Sequence, residues 1–290
     1  MEFSLMLEAI SHFIRQAHDM NPLFQKFFLY LVAFIFLLYI CVCIYLFFIQ
    51  EKSIFPARKI PINQDLGFSL PHEEIFLDTP DGARVHGVMF PVDSARGVVL
   101  HFHGNGENVL DLEQDAKEFL EIGYTFLAMD YRSYGKSTGK LSEKHLFEDA
   151  LLFMQFLEKR GWKQSDTIVY GRSIGTGIAT QLASVTRPRG LILYSPYYSM
   201  RSLVGELLPF LPTGLILQYP LNTAKYLKAV DCPVLILHGE KDHVIPFHNA
   251  QKLAKIKGKL VSFADGDHNN LTSYSLFWRE VDGFMRSVRH

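Results

Sequence analysis

Cysteine is scarce in this chain: its 290 residues contain three, Cys41, Cys43 and Cys232. So few thiols, two of them inside a long apolar run, exclude a small fold held together by disulfides and favour a reducing compartment. The sequence also lacks a C-x-x-C pair and a His-x-x-x-His helix face. We therefore expect neither a metal ion nor another cofactor.

An excess of positive charge is missing as well. Lysine and arginine together number 29 and the acidic residues 30, which gives a net charge of −1. Proteins that bind nucleic acid carry a basic patch or stripe that meets the phosphates. Because this composition offers none, we expect no nucleic-acid partner.

Charge is absent altogether from residues 27–49, FFLYLVAFIFLLYICVCIYLFFI. A helix of about 20 apolar residues crosses a hydrocarbon core of about 30 Å. The run is apolar on every face, unlike a core helix, and no A-x-A-like cleavage site follows it. We predict an uncleaved, single-pass membrane anchor that places the protein in a lipid bilayer.

The anchor divides the chain. We predict an N-terminal tail at 1–26, the transmembrane anchor at 27–49, a proline-rich linker at 50–71 and a catalytic domain at 72–290. Basic residues on the two flanks lean slightly toward a cytoplasmic catalytic domain. These are Arg15 and Lys26 before the anchor, and Lys52, Arg58 and Lys59 after it. A short interfacial helix is predicted in the tail from one apolar face, formed by Met6, Ile10, Phe13, Ile14 and Ala17.

Strand-like and helix-like patterns alternate through the rest of the chain. Such alternation predicts an α/β fold with a mostly parallel central sheet, helices on both faces and ligands beyond the carboxyl ends of the strands. The helical period is clearest at 145–160. The predicted strands cover 74–77, 85–90, 97–102, 125–130, 167–170, 191–194, 233–237 and 260–263.

A G-x-S-x-G motif follows the fifth predicted strand, at 171–175. A helix-like stretch begins at once, so the serine lies in a strand-to-helix turn of the kind that exposes a nucleophilic hydroxyl above a sheet. This context makes Ser173 the candidate nucleophile.

A nucleophilic serine needs a base, and the base needs an orienting carboxylate. Asp242 and His268 each follow a predicted strand, and the order Ser173, Asp242, His268 is that of the α/β-hydrolases. Asp265 and Asp267 compete with Asp242 for the orienting role. Three more histidines lie near strand ends and are interpreted as structural or loop residues rather than bases: His101, His103 and His238.

Acyl transfer also needs donors for an oxyanion. We assign one to the backbone N–H of Ile174, directly after the nucleophile and at a helix start. The second is assigned to the N–H of Asn105, in the glycine-rich turn after the third predicted strand.

Five segments together resemble the α/β-hydrolase superfamily, and within it the membrane-anchored serine hydrolases of the serine aminopeptidase-like and protein-depalmitoylase-like branch. The resemblance covers roughly residues 70 to 288. It implies the α/β-hydrolase fold, with Ser173, Asp242 and His268 as catalytic triad and Asn105 and Ile174 as oxyanion hole. The segments are HGNGEN at 103–108, DYRSYGKS at 130–137, GRSIG at 171–175, HGEKDHVIP at 238–246 and GDH at 266–268.

Two loops depart from the pattern of that branch. Its oxyanion loop usually has H-G-N-A-G-N, whereas this chain has Gly106 and Glu107 in the fourth and fifth places. A carboxylate at position 107 is expected to repel the developing oxyanion unless it points to solvent. Ser133 replaces a common glycine, which has little effect if its φ angle is negative. The neighbouring Asp130 is expected to support this arginine-containing loop.

An apolar insertion at 196–231 precedes the strand that leads to Asp242. It is expected to form a lid or an acyl-binding wall, although any single leucine could instead belong to a helix packed on the sheet. Pro209 and Pro212 interrupt any long helix there.

These features predict a membrane-anchored serine hydrolase that cleaves acyl esters or thioesters, with lipids or S-acylated proteins as substrates. A serine peptidase or amidase would use the same triad. A catalytically inactive membrane-tethered binding protein is the alternative from another class, and Glu107 favours it most.

Overall fold

The computed structural model describes residues 21–288. The chain divides into two compact units, Met1–Ile49 and Gln50–His290. The predicted interfacial helix in the tail lies outside the described residues, as does Arg15.

The first helix, α1 (Pro22–Ile54), contains the uncharged run and extends five residues beyond it at each end. Its 33 residues correspond to about 50 Å of helix. Its most apolar stretch has a mean hydropathy of 3.0, and among the described residues it is the one helix long and apolar enough to cross a membrane. Most side chains between 22 and 49 are exposed, as suits lipid contact better than a protein core.

An eight-stranded sheet forms the centre of the second unit, in the order β1-β2-β4-β3-β5-β6-β7-β8. The β1–β2 and β2–β4 pairs are antiparallel, and every other pair is parallel. Each strand overlaps one that the sequence predicts. The strands are β1 (Glu73–Asp78), β2 (Arg84–Phe90), β3 (Val98–Phe102), β4 (Thr125–Met129), β5 (Thr167–Arg172), β6 (Gly190–Tyr194), β7 (Val234–Gly239) and β8 (Lys259–Phe263).

Helices cover both faces of this sheet, because strands buried on both sides need two apolar layers. One core cluster contains side chains of α3 (Glu143–Lys159), α4 (Gly175–Val185) and α8 (His248–Ala254). The other contains side chains of α2 (Glu113–Glu121) and α9 (Ser275–Ser287). Alternate residues of each strand enter the two clusters, as with Leu100 and Val99 of β3.

The segment predicted as a linker is attached to the catalytic unit along its length. Residues 50–54 continue α1, and the irregular residues after them bury Phe55, Ile60 and Leu66. The N–H of Ile60 donates to the carbonyl of Gly135 at 2.9 Å. Through these contacts residues 55–66 pack against the domain core and do not form a free tether.

The apolar insertion contains three short helices, α5 (Met200–Leu207), α6 (Thr213–Ile216) and α7 (Thr223–Leu227). The first ends two residues before Pro209, because a proline disfavours helical geometry in the residue that precedes it. Ser199 caps its start by accepting the N–H of Ser202 at 3.0 Å. Leu203 is buried, whereas Leu207 and Leu215 are exposed.

Candidate active site

The turn between β5 and α4 holds Ser173 in a left-handed backbone conformation, with φ of 50°. Its N–H donates to the carbonyl of Tyr194 at 2.8 Å, which fixes the turn to β6. A Cβ at Gly175 would lie 2.2 Å from the carbonyl oxygen of Phe102, and one at Gly171 would lie 2.7 Å from Ala179 Cβ. Both glycines are therefore required for the sharp turn that raises Ser173 above the sheet.

The structure brings together the three side chains that the sequence assigns to the triad. His268 Nε2 lies 2.9 Å from Ser173 Oγ, and His268 Nδ1 lies 2.8 Å from Asp242 Oδ2. All three residues are buried. Because the carboxylate can only accept, Nδ1 carries the proton and Nε2 is left to accept the serine hydroxyl. This is the geometry that activates a serine nucleophile.

Asp242 is held rigidly by its own loop. Its Oδ1 accepts the N–H groups of Val244 at 2.9 Å and of Ile245 at 2.8 Å. Burial alone would raise the pKa of this carboxyl, but hydrogen bonds from His238 and His268 and from the Ile245 N–H lower it far below its usual range. Asp242 therefore stays ionised and can stabilise a protonated imidazole.

His238 contributes to this arrangement, beyond the structural role that the sequence suggests. Its Nε2 lies 2.8 Å from the carbonyl oxygen of Ile245 and 3.3 Å from Asp242 Oδ2. The imidazole is fully buried and links both ends of the Asp242 loop. In the sequence, this contact is indicated by the position of His238, four residues before Asp242.

The two competing aspartates do not contact His268. Asp265 forms an exposed ion pair with Lys241 at 2.6 Å. Asp267 Oδ1 accepts the N–H groups of Asn269 at 2.7 Å and Asn270 at 3.0 Å. Of the three aspartates, Asp242 is therefore the one whose carboxylate is hydrogen-bonded to the imidazole.

The two backbone groups assigned to the oxyanion hole are available. Within residues 21–288, neither the N–H of Asn105 nor that of Ile174 donates a hydrogen bond. Both residues line the pocket around Ser173. The residue before each of them has an occupied N–H, since that of Gly104 donates to Glu107 Oε2 at 2.6 Å and that of Ser173 to the Tyr194 carbonyl at 2.8 Å.

Asp130 supports both loops beside the site, although the sequence suggests a role in one. Its Oδ1 accepts the N–H of Val109 at 3.0 Å, which fixes the end of the oxyanion loop. Its backbone carbonyl accepts Ser137 Oγ at 2.8 Å, and its Oδ2 lies 2.7 Å from His86 Nδ1. In the same loop, Ser133 has a φ of 71°, so the condition under which its replacement of glycine would have little effect is not met. The turn keeps the glycine-like geometry without the glycine.

Glu107 does not present a free charge to the oxyanion hole. One of its oxygens accepts the Gly104 N–H, and the other forms an ion pair with the guanidinium of Arg172. The ion pair therefore neutralises the carboxylate. While the pair is formed, Glu107 does not repel a developing oxyanion as the sequence led us to expect.

A pocket of about 390 Å³ opens above Ser173. Its polar side is formed by Asn105, Glu107, Arg172 and Asn269. Its apolar side is formed mainly by α5, through Met200, Leu203, Val204 and Leu207. Among the described residues, no group of three or more histidine, cysteine, aspartate or glutamate side chains is arranged to hold a metal ion.

The amino-acid sequence is similar to those of known proteins. Residues 93–225 match the family described as serine aminopeptidase, S33. The lysophosphatidylserine lipase ABHD12 of Mus musculus is 31% identical over 199 residues, which are 59% of this chain and 48% of the lipase. The protein YfhR of Escherichia coli is 27% identical over 249 residues, which are 78% of this chain and 86% of YfhR. The chain thus spans about half the length of the lipases that it matches.

Solved structures give matches in fold. An esterase of Pyrococcus furiosus superposes with a TM-score of 0.63 at 16% identity, over 81% of this chain and 97% of the esterase. A hydrolase of Thermoplasma acidophilum superposes with a TM-score of 0.56 at 22% identity, over 76% of this chain and all of that protein. Together with the sheet order and the turn at Ser173, these similarities show that the chain has the α/β-hydrolase fold.

Proposed function

We propose that this protein is a membrane-anchored serine hydrolase that cleaves acyl esters through an acyl-enzyme intermediate. One observation carries the proposal: Ser173 Oγ, His268 Nε2 and Asp242 form a continuous hydrogen-bonded relay. The relay ends in a pocket with two unoccupied backbone donors, those of Asn105 and Ile174.

The chemistry proceeds in two steps. Ser173 Oγ attacks the acyl carbon while its proton passes to His268 Nε2, and the carbonyl oxygen becomes an oxyanion between the N–H groups of Asn105 and Ile174. The intermediate collapses when the proton moves from His268 to the leaving oxygen or sulfur. Water then attacks the acyl-enzyme by the same route, and Ser173 is regenerated.

The apolar wall of α5 favours an acyl chain as the group that enters the pocket. Met200, Leu203 and Val204 offer aliphatic contact and no hydrogen-bonding side chain. The lipase relatives support an acyl lipid as substrate, and S-acylated proteins share the same acyl group with a thiol leaving group. We therefore propose long-chain acyl esters first and thioesters second.

The pocket gives less support to an aminopeptidase. An exopeptidase of that kind needs a free carboxylate to hold the substrate's terminal ammonium group. Glu107 lines this pocket, but Arg172 already neutralises it. The alternative of a catalytically inactive binding protein depended on a free Glu107 carboxylate. Because that carboxylate is paired, Glu107 no longer favours this alternative.

Membrane attachment is proposed from α1, whose length and hydropathy suit a single span. We place the catalytic unit on the cytoplasmic side, because basic residues such as Lys52 and Lys59 follow the span and such residues favour that side.

Hydrolysis by the purified full-length protein in detergent tests this function. The substrates are p-nitrophenyl esters of increasing chain length, matched acyl thioesters and an aminoacyl p-nitroanilide. We expect ester hydrolysis that rises with chain length and falls by about 10,000-fold or more in Ser173→Ala and His268→Ala. Preferential cleavage of the anilide would make the protein a peptidase, and folded protein without turnover of any substrate would contradict a hydrolase.

A further inference from the structure

Two charged side chains lie where three loops of the active site meet. Glu107 belongs to the loop that carries Asn105, and Arg172 is the last residue of β5, directly before Ser173. Asn269 directly follows His268. The oxyanion loop, the nucleophile turn and the histidine loop thus each contribute one polar side chain at the same place.

These side chains form one connected chain of contacts. Glu107 joins the Gly104 N–H to the Arg172 guanidinium, with 2.6 Å between Gly104 N and Glu107 Oε2. Arg172 Nη2 donates to Asn269 Oδ1 at 3.0 Å, and the guanidinium lies 5.1 Å from the ring centre of Tyr194. A planar guanidinium can make these contacts at once, because it donates in several fixed directions and stacks on aromatic rings.

The ion pair is largely withdrawn from water. The Arg172 and Glu107 side chains are 18% and 17% exposed. Burial alone would lower the pKa of Arg172, yet the nearby Glu107 carboxylate keeps it raised. A partly buried pair of this kind is costly to break from one side, because the remaining charge loses its partner.

We infer that Glu107 and Arg172 are positioning residues that set the geometry of the oxyanion hole. Glu107 occupies the Gly104 N–H, which leaves the next N–H in the chain, that of Asn105, to face the pocket. Arg172 fixes the same carboxylate to the turn whose Ile174 supplies the other donor. The spacing between the two donors is therefore set by an ion pair. This inference rests on the proposed function, since it concerns the same reaction.

Glu107 could instead affect the reaction through its negative charge, which predicts the opposite change in kcat. If Glu107 acts mainly through its negative charge, its removal should stabilise the oxyanion and raise kcat. If Glu107 acts by position, its removal should lower kcat although the local charge becomes more favourable. Glu107→Gln separates the two accounts, because it removes the charge and keeps the size of the side chain.

The experiment compares full-length wild type, Glu107→Gln, Arg172→Gln and the double variant on one p-nitrophenyl ester. We expect each single change to lower kcat by about 10- to 100-fold, as a misplacement of about 1 Å at reacting groups can do. KM should stay within about three-fold, because the ground state makes little use of the hole. The double variant should be no slower than the slower single variant, because both changes break one contact.

A trifluoromethyl ketone provides a readout that a merely structural role would not change. Ser173 Oγ adds to its carbonyl carbon, His268 takes the hydroxyl proton, and the resulting oxyanion occupies the hole. Its inhibition constant should rise in each variant by the factor that kcat/KM falls. Asp166→Asn is the matched control, since it breaks the Arg189–Asp166 pair, 3.1 Å long, beside the other end of β5. This control should keep wild-type kcat.

Unchanged or raised kcat in Glu107→Gln, with wild type active, would overturn the inference and leave the proposed function intact. Wild type that is itself inert would instead remove the proposed function, and the positioning role with it. If the glutamine variants do not fold, Arg172→Lys decides, because it keeps the charge and loses the several fixed donor directions. The inference then requires a lower kcat and a weaker trifluoromethyl ketone complex, and wild-type values for both would overturn it.

Discussion

At the scale of single residues, the backbone of Ser173 itself is strained. Ser173 keeps a positive φ although it has a side chain, and such strain persists only where the surrounding structure holds it. The hydrogen bond to Tyr194 and the crowded glycines on both sides supply that constraint. The site is therefore expected to be less stable than an unstrained turn would be.

Two substitutions at position 173 measure the strain. Ser173→Ala and Ser173→Gly both remove the hydroxyl, but only glycine adopts this conformation without a steric cost. We expect the free energy of unfolding of Ser173→Gly to exceed that of Ser173→Ala by about 1 kcal/mol. Chemical denaturation of both variants provides the comparison, and a less stable glycine variant would show that the turn is unstrained.

Asp115 also lowers the stability of the fold, and its effect depends on pH. Burial, with smaller effects of Glu107 and Glu118, raises its pKa from 3.8 to about 6, although Arg172 opposes the shift. A raised carboxyl pKa means that the folded state binds the proton more tightly than the unfolded state. Stability is therefore lost as pH rises through the window from 3.8 to about 6, and the cost is complete above it.

Asp115→Asn should remove that cost. Because the side chain is partly exposed, we expect stabilisation on the order of 1 to 2 kcal/mol at about pH 8 and little difference at about pH 4. Urea unfolding at both pH values measures it. An equal effect of the substitution at the two pH values would contradict the assigned titration.

At the scale of elements, α5 forms the apolar wall of the pocket, and the proposed function assigns this wall to the acyl chain. Val204 lines the pocket, whereas Leu215 of α6 does not and is 86% exposed. Val204→Phe should fill part of the pocket and lower kcat/KM for an octanoyl ester relative to a butyryl ester by about 10-fold. Leu215→Phe, which adds similar bulk outside the pocket, should leave the ratio unchanged. A shift of equal size in both variants would show that α5 does not select the chain length.

The elements were largely predictable from sequence, whereas the contacts between loops were not. Apolar runs bounded by turns located all eight strands, because parallel strands buried on both faces consist of such runs. Pro209 likewise marked the end of α5. The pairing of Glu107 with Arg172 joins residues 65 apart, and no local pattern reports such a contact. For the same reason the sequence could suggest a disruptive Glu107 but could not place its carboxylate. The glycine that is common at position 133 in the similar branch raised the question of the φ angle there, but the serine of this chain left its sign open.

At the scale of the whole molecule, the proposed function requires a catalytic unit that is attached to one membrane span. Two arginines introduced in the uncharged run, Phe36→Arg with Ile40→Arg, should each cost about 2.5 to 3.5 kcal/mol of insertion free energy. We expect the full-length wild type to stay in the membrane pellet after alkaline carbonate extraction and the double variant to appear in the supernatant. A matched pair of exposed positions, Val185→Arg with Leu215→Arg, should leave the protein in the pellet. Wild type that is released by carbonate would contradict the anchor.

Fluorophosphonate labelling of the full-length protein tests whether Ser173 is an activated nucleophile. The serine oxygen forms a bond to phosphorus as fluoride leaves, and the reaction needs no knowledge of the substrate. We expect one adduct, mapped by mass spectrometry to the peptide that contains Ser173 and absent from Ser173→Ala. A folded wild-type protein that takes up no label, or an adduct that persists in Ser173→Ala, would contradict this expectation.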